Sequence, residues 1–361
     1  MYKKIALTAA GLIVLTAVIL FIRINHEFGQ MEINTENVIV KESDTPSVES
    51  LDAAVNEPAE EEDPEDFYML MIGLDQRGKS LMLNTDSLIV AHVVPQSKHI
   101  RLLSIPRDQR VTSQEGRNLK INAVFAEGYQ HAVQAARKDP SLLSGKRVSI
   151  GKIKVHEEYI SSGIVELRDT INRFLDISIE HTFLVNFETV VELVDAVGGI
   201  EVMVDRSMQY DAEFDNTHIH LNKGLQVLDG RDALNFARFR EDNRGPSYFS
   251  NDFERGERQQ TVISALVRKL ASWGNLTKAI SLLDIVTSNV KTDMRMTQMV
   301  SLMREYYSSL SGDSIISIPY NGYWKNPYVE VNEEDMAAML EQFKSIELPE
   351  NQHMQTEIPS A

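Results

Sequence analysis

The sequence predicts an α/β domain of layered architecture. Apolar runs of strand length alternate with stretches whose apolar residues recur at helical spacing. Capping residues and a glycine pair punctuate the joins between them. The chain has 361 residues, 43% of them apolar. That is an ordinary globular composition and enough for one large core.

Two bounds precede the elements. The formal charge is −17, yet Glu32 to Asp66 holds thirteen acidic residues against Lys41 alone, a net −12. The remainder is only mildly acidic, so any arginine cluster within it calls for a local cause. The overall sign argues against nucleic acid as a partner, which calls for a basic face. The absence of cysteine excludes disulfide scaffolds, thiol nucleophiles and cysteine-ligated zinc.

Residues 1–4 carry Lys3 and Lys4 and are expected to remain cytoplasmic. "IALTAAGLIVLTAVILFI", residues 5–22, is 18 residues without a charge, about 27 Å of helix at 1.5 Å per residue. No small-x-small cleavage site follows. The reading is an uncleaved, single-pass transmembrane signal anchor in the cell membrane, with the remainder extracellular. Residues 23–66 read as an acidic, disordered linker that holds the folded part away from the membrane. Residues 67–348 read as the folded domain, and 349–361 as a disordered tail.

Within the domain, "FYMLMIGLD" is a continuous apolar run of strand type from Phe67. A second strand is expected from Ser87 to Val94 and a third from His99 to Ile105, with "PQSK" turning the chain into an antiparallel hairpin. If the first strand joins them as a meander, Asp75, Asp86 and Arg107 fall at one edge of the sheet. "KINAVFAEGYQHAVQAAR" reads as a helix beginning near Asn122 as N-cap, with Lys120 at its entrance, a place that favours an anion. Lys138 to Gly163 reads as an irregular surface insertion. A helix ("IVELRDTINRFL"), a strand ("HTFLVNF"), a helix ("ETVVELVDAV") closed by Gly198-Gly199 and a strand ("IEVMV") follow.

"LDGRDALNFAR" has Asp229 as N-cap and Asp232 at N3. Residues i and i+2 diverge on a helix but share a face of an extended chain. Arg238 and Arg240 therefore converge on one ligand only if the helix stops near Arg238, which turns Phe239 into the core. In "NDFERGERQQTVISALVRKLAS", Arg255, Gln259, Val262 and Leu266 share one helical face, polar at its tip and apolar beyond. Leu276 to Glu347 adds helices and a short strand, "DSIISIPY".

This set suits phosphoryl chemistry. Arginine forks bind phosphate oxygens in bidentate fashion. Aspartates beside them suit Mg²⁺, which takes hard oxygen ligands shared with phosphates, or orient an incoming hydroxyl. Singly, Asp75 and Asp86 serve equally well as turn caps, Arg238 and Arg240 as ion-pair partners of Glu241, Asp242 or Asp252, and Arg255 as a rim residue. It is the strand topology that joins Asp75, Asp86 and Arg107. His218 and His220, in "HIH", share a strand face but lack a third ligand for metal. "GKIK" and "GLDQRGKS" lack Walker A spacing.

Six stretches in order, "MLMIGLDQR", "NTDSLIVAHVVPQSKHIRLLSIPRD", "KINAVFA", "VNFETVVELVDAVGGIEV", "LNKGLQVLDGRDALNFARFR" and "DFERGERQQTVISAL", resemble the LytR-CpsA-Psr family from about Phe67 to Leu270. The resemblance implies a three-layer α/β/α domain with a central mixed β-sheet and a hydrophobic pocket for a polyprenyl chain. It implies a phosphotransferase that moves a glycopolymer, such as teichoic acid or capsule, from an undecaprenyl-pyrophosphate-linked donor to peptidoglycan, releasing polyprenyl phosphate. By the family's motif Asp75 and Asp86 are the Mg²⁺ (or Mn²⁺) ligands. Arg107, Lys120, Arg238, Arg240 and Arg255 bind the pyrophosphate and Gln259 lines the site. Asn84 stands where the family usually has a basic residue, and Arg77 is near enough to substitute for it. A non-catalytic polyprenyl-pyrophosphate binder that scaffolds wall assembly and a lipid pyrophosphate hydrolase are the competing readings.

Overall fold

The computed structural model describes residues 31–35, 38–39, 66–77, 80–150, 153–213, 217–272, 290–295 and 314–347, with isolated positions between 282 and 302. The expected anchor at 5–22 and the tail at 349–361 lie outside the described residues. Among the described residues no helix is long and apolar enough to cross a membrane.

Strands β1 (Phe67–Arg77), β2 (Ser80–Val94) and β3 (His99–Ser104) form the expected antiparallel meander. The short hairpin β4 (Arg110–Thr112) and β5 (Asn118–Lys120) leads into α1 (Val124–Lys138). A second hairpin, β6 (Arg147–Ile150) and β7 (Ile153–His156), precedes α2 (Glu157–Leu175). Then come β8 (Ile179–Asn186), α3 (Phe187–Ala196), β9 (Ile200–Val204), β10 (Met208–Ala212), β11 (Thr217–Leu221), β12 (Gly224–Leu228), α4 (Gly230–Arg238) and α5 (Asp252–Ala271). The last elements are β13 (Val290–Thr292), β14 (Ile315–Ile318), β15 (Tyr323–Lys325), β16 (Tyr328–Glu330) and α6 (Glu333–Lys344).

The central sheet has the order β13-β8-β1-β2-β3-β14. It is mixed: β8 runs parallel to β1 and β14 parallel to β3, and the other pairs are antiparallel. Side chains alternate across a strand, and the two faces of β1 bury different neighbours. Leu70, Ile72 and Leu74 join Phe125 of α1, Ile164 and Leu167 of α2 and Phe343 of α6 in one cluster. Met69 and Met71 pack on the opposite face with Ile89, Leu102, Ile100 and Ile263 of α5. Helices thus cover both faces, giving three layers. A second cluster joins α3, α4, α5 and strands β9 to β12.

Four expectations are corrected. Strand two begins at Ser80, seven residues early, because β2 continues as a ribbon with the end of β1 beyond a register shift near Leu74. Asp86 therefore sits inside a strand. Asn122 is not an N-cap; a 3₁₀ turn, Ile121–Ala123, precedes α1. Lys138 to Gly163 is no irregular excursion, since it contains a hairpin and the first two turns of α2. Its small residues pack on α1: a Cβ on Gly128 of α1 would lie 2.5 Å from the Ser162 carbonyl oxygen, and one on Gly163 2.9 Å from Phe125. Finally, part of the segment expected to be linker is core. Met31 and Ile33 are buried, and Ile33 N–H donates to the Thr292 carbonyl (2.9 Å). The Ser161 hydroxyl donates to the Asn34 carbonyl at 2.7 Å.

Candidate active site

α4 is N-capped by Asp229, whose side chain accepts from Asp232 N–H. It ends at Arg238, and Phe239 is extended (φ −55°, ψ 127°) and fully buried. This is the geometry under which Arg238 and Arg240 share a side of the chain. Two bonds fix it. Ser250 N–H donates to the Arg240 carbonyl at 2.7 Å. The buried Arg258 donates to the Phe239 carbonyl (3.2 Å) and the Ser250 hydroxyl (2.7 Å), while a bidentate pair with Asp205, both bonds 2.9 Å, holds its fork.

Asp252 opens α5, just after the N-cap Asn251 and its capping box with Glu254. Its carboxylate is the hub of the site. Arg107 Nε lies 3.6 Å from it, Arg255 Nη2 3.4 Å and Arg240 Nε 3.9 Å. Asp86 approaches Arg107 from the other side, at 3.6 Å. These guanidiniums come from the loop after β3, the chain after α4 and the first turn of α5. Burial pushes the pKa of Arg255 below its ordinary value and Asp252 opposes that push; a guanidinium nonetheless remains charged.

The ion pairs are loose. None is short enough for a good charge-assisted hydrogen bond. Arg107 Nε and Asp252 Oδ1 are buried without a hydrogen-bond partner among the described residues. An unused guanidinium donor, beside ion pairs too long to be hydrogen bonds, is what an incoming anion requires.

The cleft beside this cluster is lined by Asp86, Ser87, Arg107, Asp252, Arg255, Gln259 and Tyr320, among others. Gln259 Oε1 accepts from the Ser87 hydroxyl at 2.8 Å, which ties α5 to β2. Tyr320 stacks on Phe253, with centroids 6.1 Å apart, and donates to Gln109 Oε1 at 2.6 Å. Burial raises its pKa well above the usual phenol value.

The remaining expected residues fall as follows. Arg238 lies 5.9 Å from the Phe187 ring, and that ring borders Gly73 of β1. Lys120 does not join the arginine hub: its ammonium pairs with Asp108 at 2.9 Å and sits 5.7 Å from the Trp324 ring. The cause is local, since Asp108 directly follows Arg107 and draws the lysine to the outer side of that loop. Asp75 and Arg77 lie at the end of β1, at the Asp86 end of the sheet, and their side chains lie outside the described residues.

Sequence reasoning named Asp252 only as an ion-pair alternative and passed over Arg258, Tyr320 and Asp108. The available signal was "SNDFE", which puts an acid at the first turn of a helix beginning beside the arginine pair. Asp242, another of the three alternatives, pairs with Arg244 instead, which holds its carboxyl down at about 2.

Mg²⁺ takes one or two carboxylates together with phosphate oxygens and water. Asp86 fits that role: it is about one-third exposed toward the cleft, and its arginine contact is too long for a hydrogen bond. Among the described residues no group of three His, Asp or Glu side chains is placed to hold a metal, so the site suits an ion that shares its shell with substrate. His218 and His220 both bond Asp211, at 2.7 and 2.9 Å, on a hairpin away from the cleft.

The sequence model of the LytR_cpsA_psr family matches residues 29–345. A Halalkalibacterium halodurans protein named polyisoprenyl-teichoic acid–peptidoglycan teichoic acid transferase TagU is 30% identical over 285 residues, 77% of this chain and 78% of the relative. The Bacillus subtilis TagV of the same description is 28% identical over 276 residues, 72% of this chain and 60% of its own. The crystal structure of B. subtilis TagV superposes with a TM-score of 0.56 at 27% identity, covering 77% of this chain and 96% of that one. The structure of TagT bound to LI-WTA shares the fold, with a TM-score of 0.53 at 21% identity, covering 77% and 89%.

Proposed function

The chain belongs to the LytR_cpsA_psr family, and from that premise we propose that it transfers a teichoic-acid-like glycopolymer from a polyprenyl-pyrophosphate donor to peptidoglycan. The chain is a transferase, as its relatives are. One observation carries the finer reading: three guanidiniums from three separate segments meet at Asp252 at 3.4–3.9 Å, beside a cleft that Asp86 also lines.

Arg107, Arg240 and Arg255 would bind the pyrophosphate, exchanging long contacts with Asp252 for short ones with phosphate oxygens. Arg238 would complete the set from the same extended segment. An acceptor sugar hydroxyl attacks the phosphorus on the glycan side. The bond from that phosphorus to the bridging oxygen breaks, polyprenyl phosphate departs with the electron pair, and a phosphodiester remains. Asp86 is the carboxylate within the cleft suited to orient the attacking hydroxyl, whose proton leaves to solvent. The arginines neutralise charge on the leaving phosphate, which is where most of the rate gain in such transfers lies.

Asp86, with Asp75 at the same end of the sheet, would hold Mg²⁺, which when bound neutralises phosphate oxygens. A lipid tail would lie behind the charges, beside Met69, Met71, Ile100 and Ile315, which are only partly buried. Residues 5–22 would anchor the chain with this domain outside the cell.

The test uses the full-length protein with a lipid-linked glycopolymer, Mg²⁺ and peptidoglycan. Covalent conjugate and released polyprenyl phosphate are expected in equal amounts. Release without conjugate marks a hydrolase, and neither product marks a binder; either outcome defeats the proposal.

A further inference from the structure

Back to back with the catalytic cleft lies a cavity of about 280 Å³, lined by Gln109, Arg110, Phe174, Glu330, Asn332 and Met336 among others. Gln109 forms the wall between the two. Its side chain borders the cavity, and its Oε1 accepts from the hydroxyl of Tyr320, which lines the cleft, at 2.6 Å. Arg110, the first residue of β4, stands three residues after Arg107, one serving each space. Three residues of chain span at most about 11 Å, roughly the reach of a disaccharide.

The lining is amphipathic. Phe174 and Met336 supply an apolar floor, and Gln109, Arg110, Glu330 and Asn332 supply donors and acceptors around it. The polar groups are held in place. Glu330 accepts from Lys325 Nζ at 2.9 Å and pairs with Arg110 Nη1 at 3.0 Å. The Tyr323 hydroxyl, from just outside the lining, donates to the same carboxylate at 3.4 Å, which steadies a ring that is 45% exposed. Carbohydrates present an apolar ring face and a polar hydroxyl rim. An aromatic edge with fixed charged hydrogen-bonding groups matches that chemistry. A lipid tail would find too many charges here.

We propose that this cavity, with Tyr323 beside its Glu330, is a saccharide-binding subsite that holds the acceptor glycan next to the pyrophosphate cleft. The inference rests on the transferase reading for the word acceptor, and on the cavity alone for the word saccharide. Nothing in the catalytic cluster is asked to do this work. Tyr323 and Arg110 are positioning residues for acceptor.

The experiment has two arms, both with full-length protein. In the first, a soluble peptidoglycan tetrasaccharide is titrated calorimetrically into wild type and into Tyr323→Ala and Arg110→Ala. The two side chains are 45% and 44% exposed, so the variants are expected to fold, and an unchanged melting temperature verifies it. Each substitution is expected to weaken saccharide binding at least tenfold, whereas Arg255→Ala leaves it unchanged. In the second arm, the same two variants should raise the acceptor KM about tenfold at unchanged kcat and unchanged donor KM. Wild-type affinity in both variants, or no saccharide binding by wild type, overturns the subsite. Loss of binding in the variants without glycopolymer transfer by wild type keeps the saccharide site and removes the transferase reading.

Discussion

At the scale of single residues, the site is a balance between one carboxylate and several cations. Arg107, Arg240 and Arg255 share Asp252, so removing that carboxylate leaves like charges facing one another. Asp252→Ala is expected to lower the melting temperature, and millimolar inorganic pyrophosphate should restore most of the loss, since an anion bound only by the folded state stabilises it by mass action. Differential scanning fluorimetry with and without pyrophosphate checks this; a loss that pyrophosphate leaves untouched would count against the anion site. Arg240→Ala presents the opposite case. Its side chain is 43% exposed, so stability should scarcely move, while transfer falls about 10²- to 10³-fold, as when one preorganised charge-stabilising group is lost. Release of polyprenyl phosphate measures it. Asp86 and Arg107 were legible as neighbours because a strand meander forces them to one end. Asp252 was not, because nothing local distinguishes a hub carboxylate from a helix-start acid.

At the scale of elements, positioning comes from how segments end and how closely they approach. The arginine pair works only because α4 stops at Arg238, and Arg258 sets the register of the following strand-like residues through the Phe239 carbonyl and Ser250. Arg258→Ala leaves Asp205 with Arg206 alone and strips the donor from the Phe239 carbonyl and the Ser250 hydroxyl. It is expected to cost on the order of 3 kcal/mol and to reduce transfer without touching substrate, both readable by denaturant melts beside the transfer assay. The α1–α2 contact makes a separate point. A methyl group added at Gly128 would press on the Ser162 carbonyl at 2.5 Å, so Gly128→Ala should destabilise by about 1–3 kcal/mol through overpacking. The stretch "EEYISSGIVE" hid this helix start, because Ser and Gly weaken helical periodicity while making close packing possible. The meander, α3, α4 and α5 were readable, since their apolar periodicity and caps agree. The length of β2 was not, because "SLMLNTD" carries neither alternation nor a continuous apolar run.

At the scale of the whole molecule, the acidic segment has to be divided. Its charge made all of 23–66 look like a single spacer, and charge alone could not reveal that Met31 and Ile33 are core residues. Residues 31–34 dock between α2 and β13: Ile33 N–H bonds Thr292, the Asn34 carbonyl accepts from Ser161, and Asn34 N–H donates to Glu157 at 3.2 Å. The chain is pinned to the body again at Asp66, which bonds His92 at 2.6 Å. The stretch between these two points therefore links two places on one domain and cannot act as its tether. If residues 5–22 span the bilayer, only 23–30 separate them from the docked segment, at most about 28 Å of extended chain. The site would then work close to the lipid surface, where a polyprenyl donor resides. The docking is testable apart from the anchor. Ile33 is 2% exposed in the main cluster, so Ile33→Ala should cost about 2–5 kcal/mol. A chain beginning at Phe67 should lose at least as much relative to one beginning at residue 29. Equal melting temperatures for those two chains would show that 31–34 contributes nothing to the fold, and the short-tether geometry would fall with it.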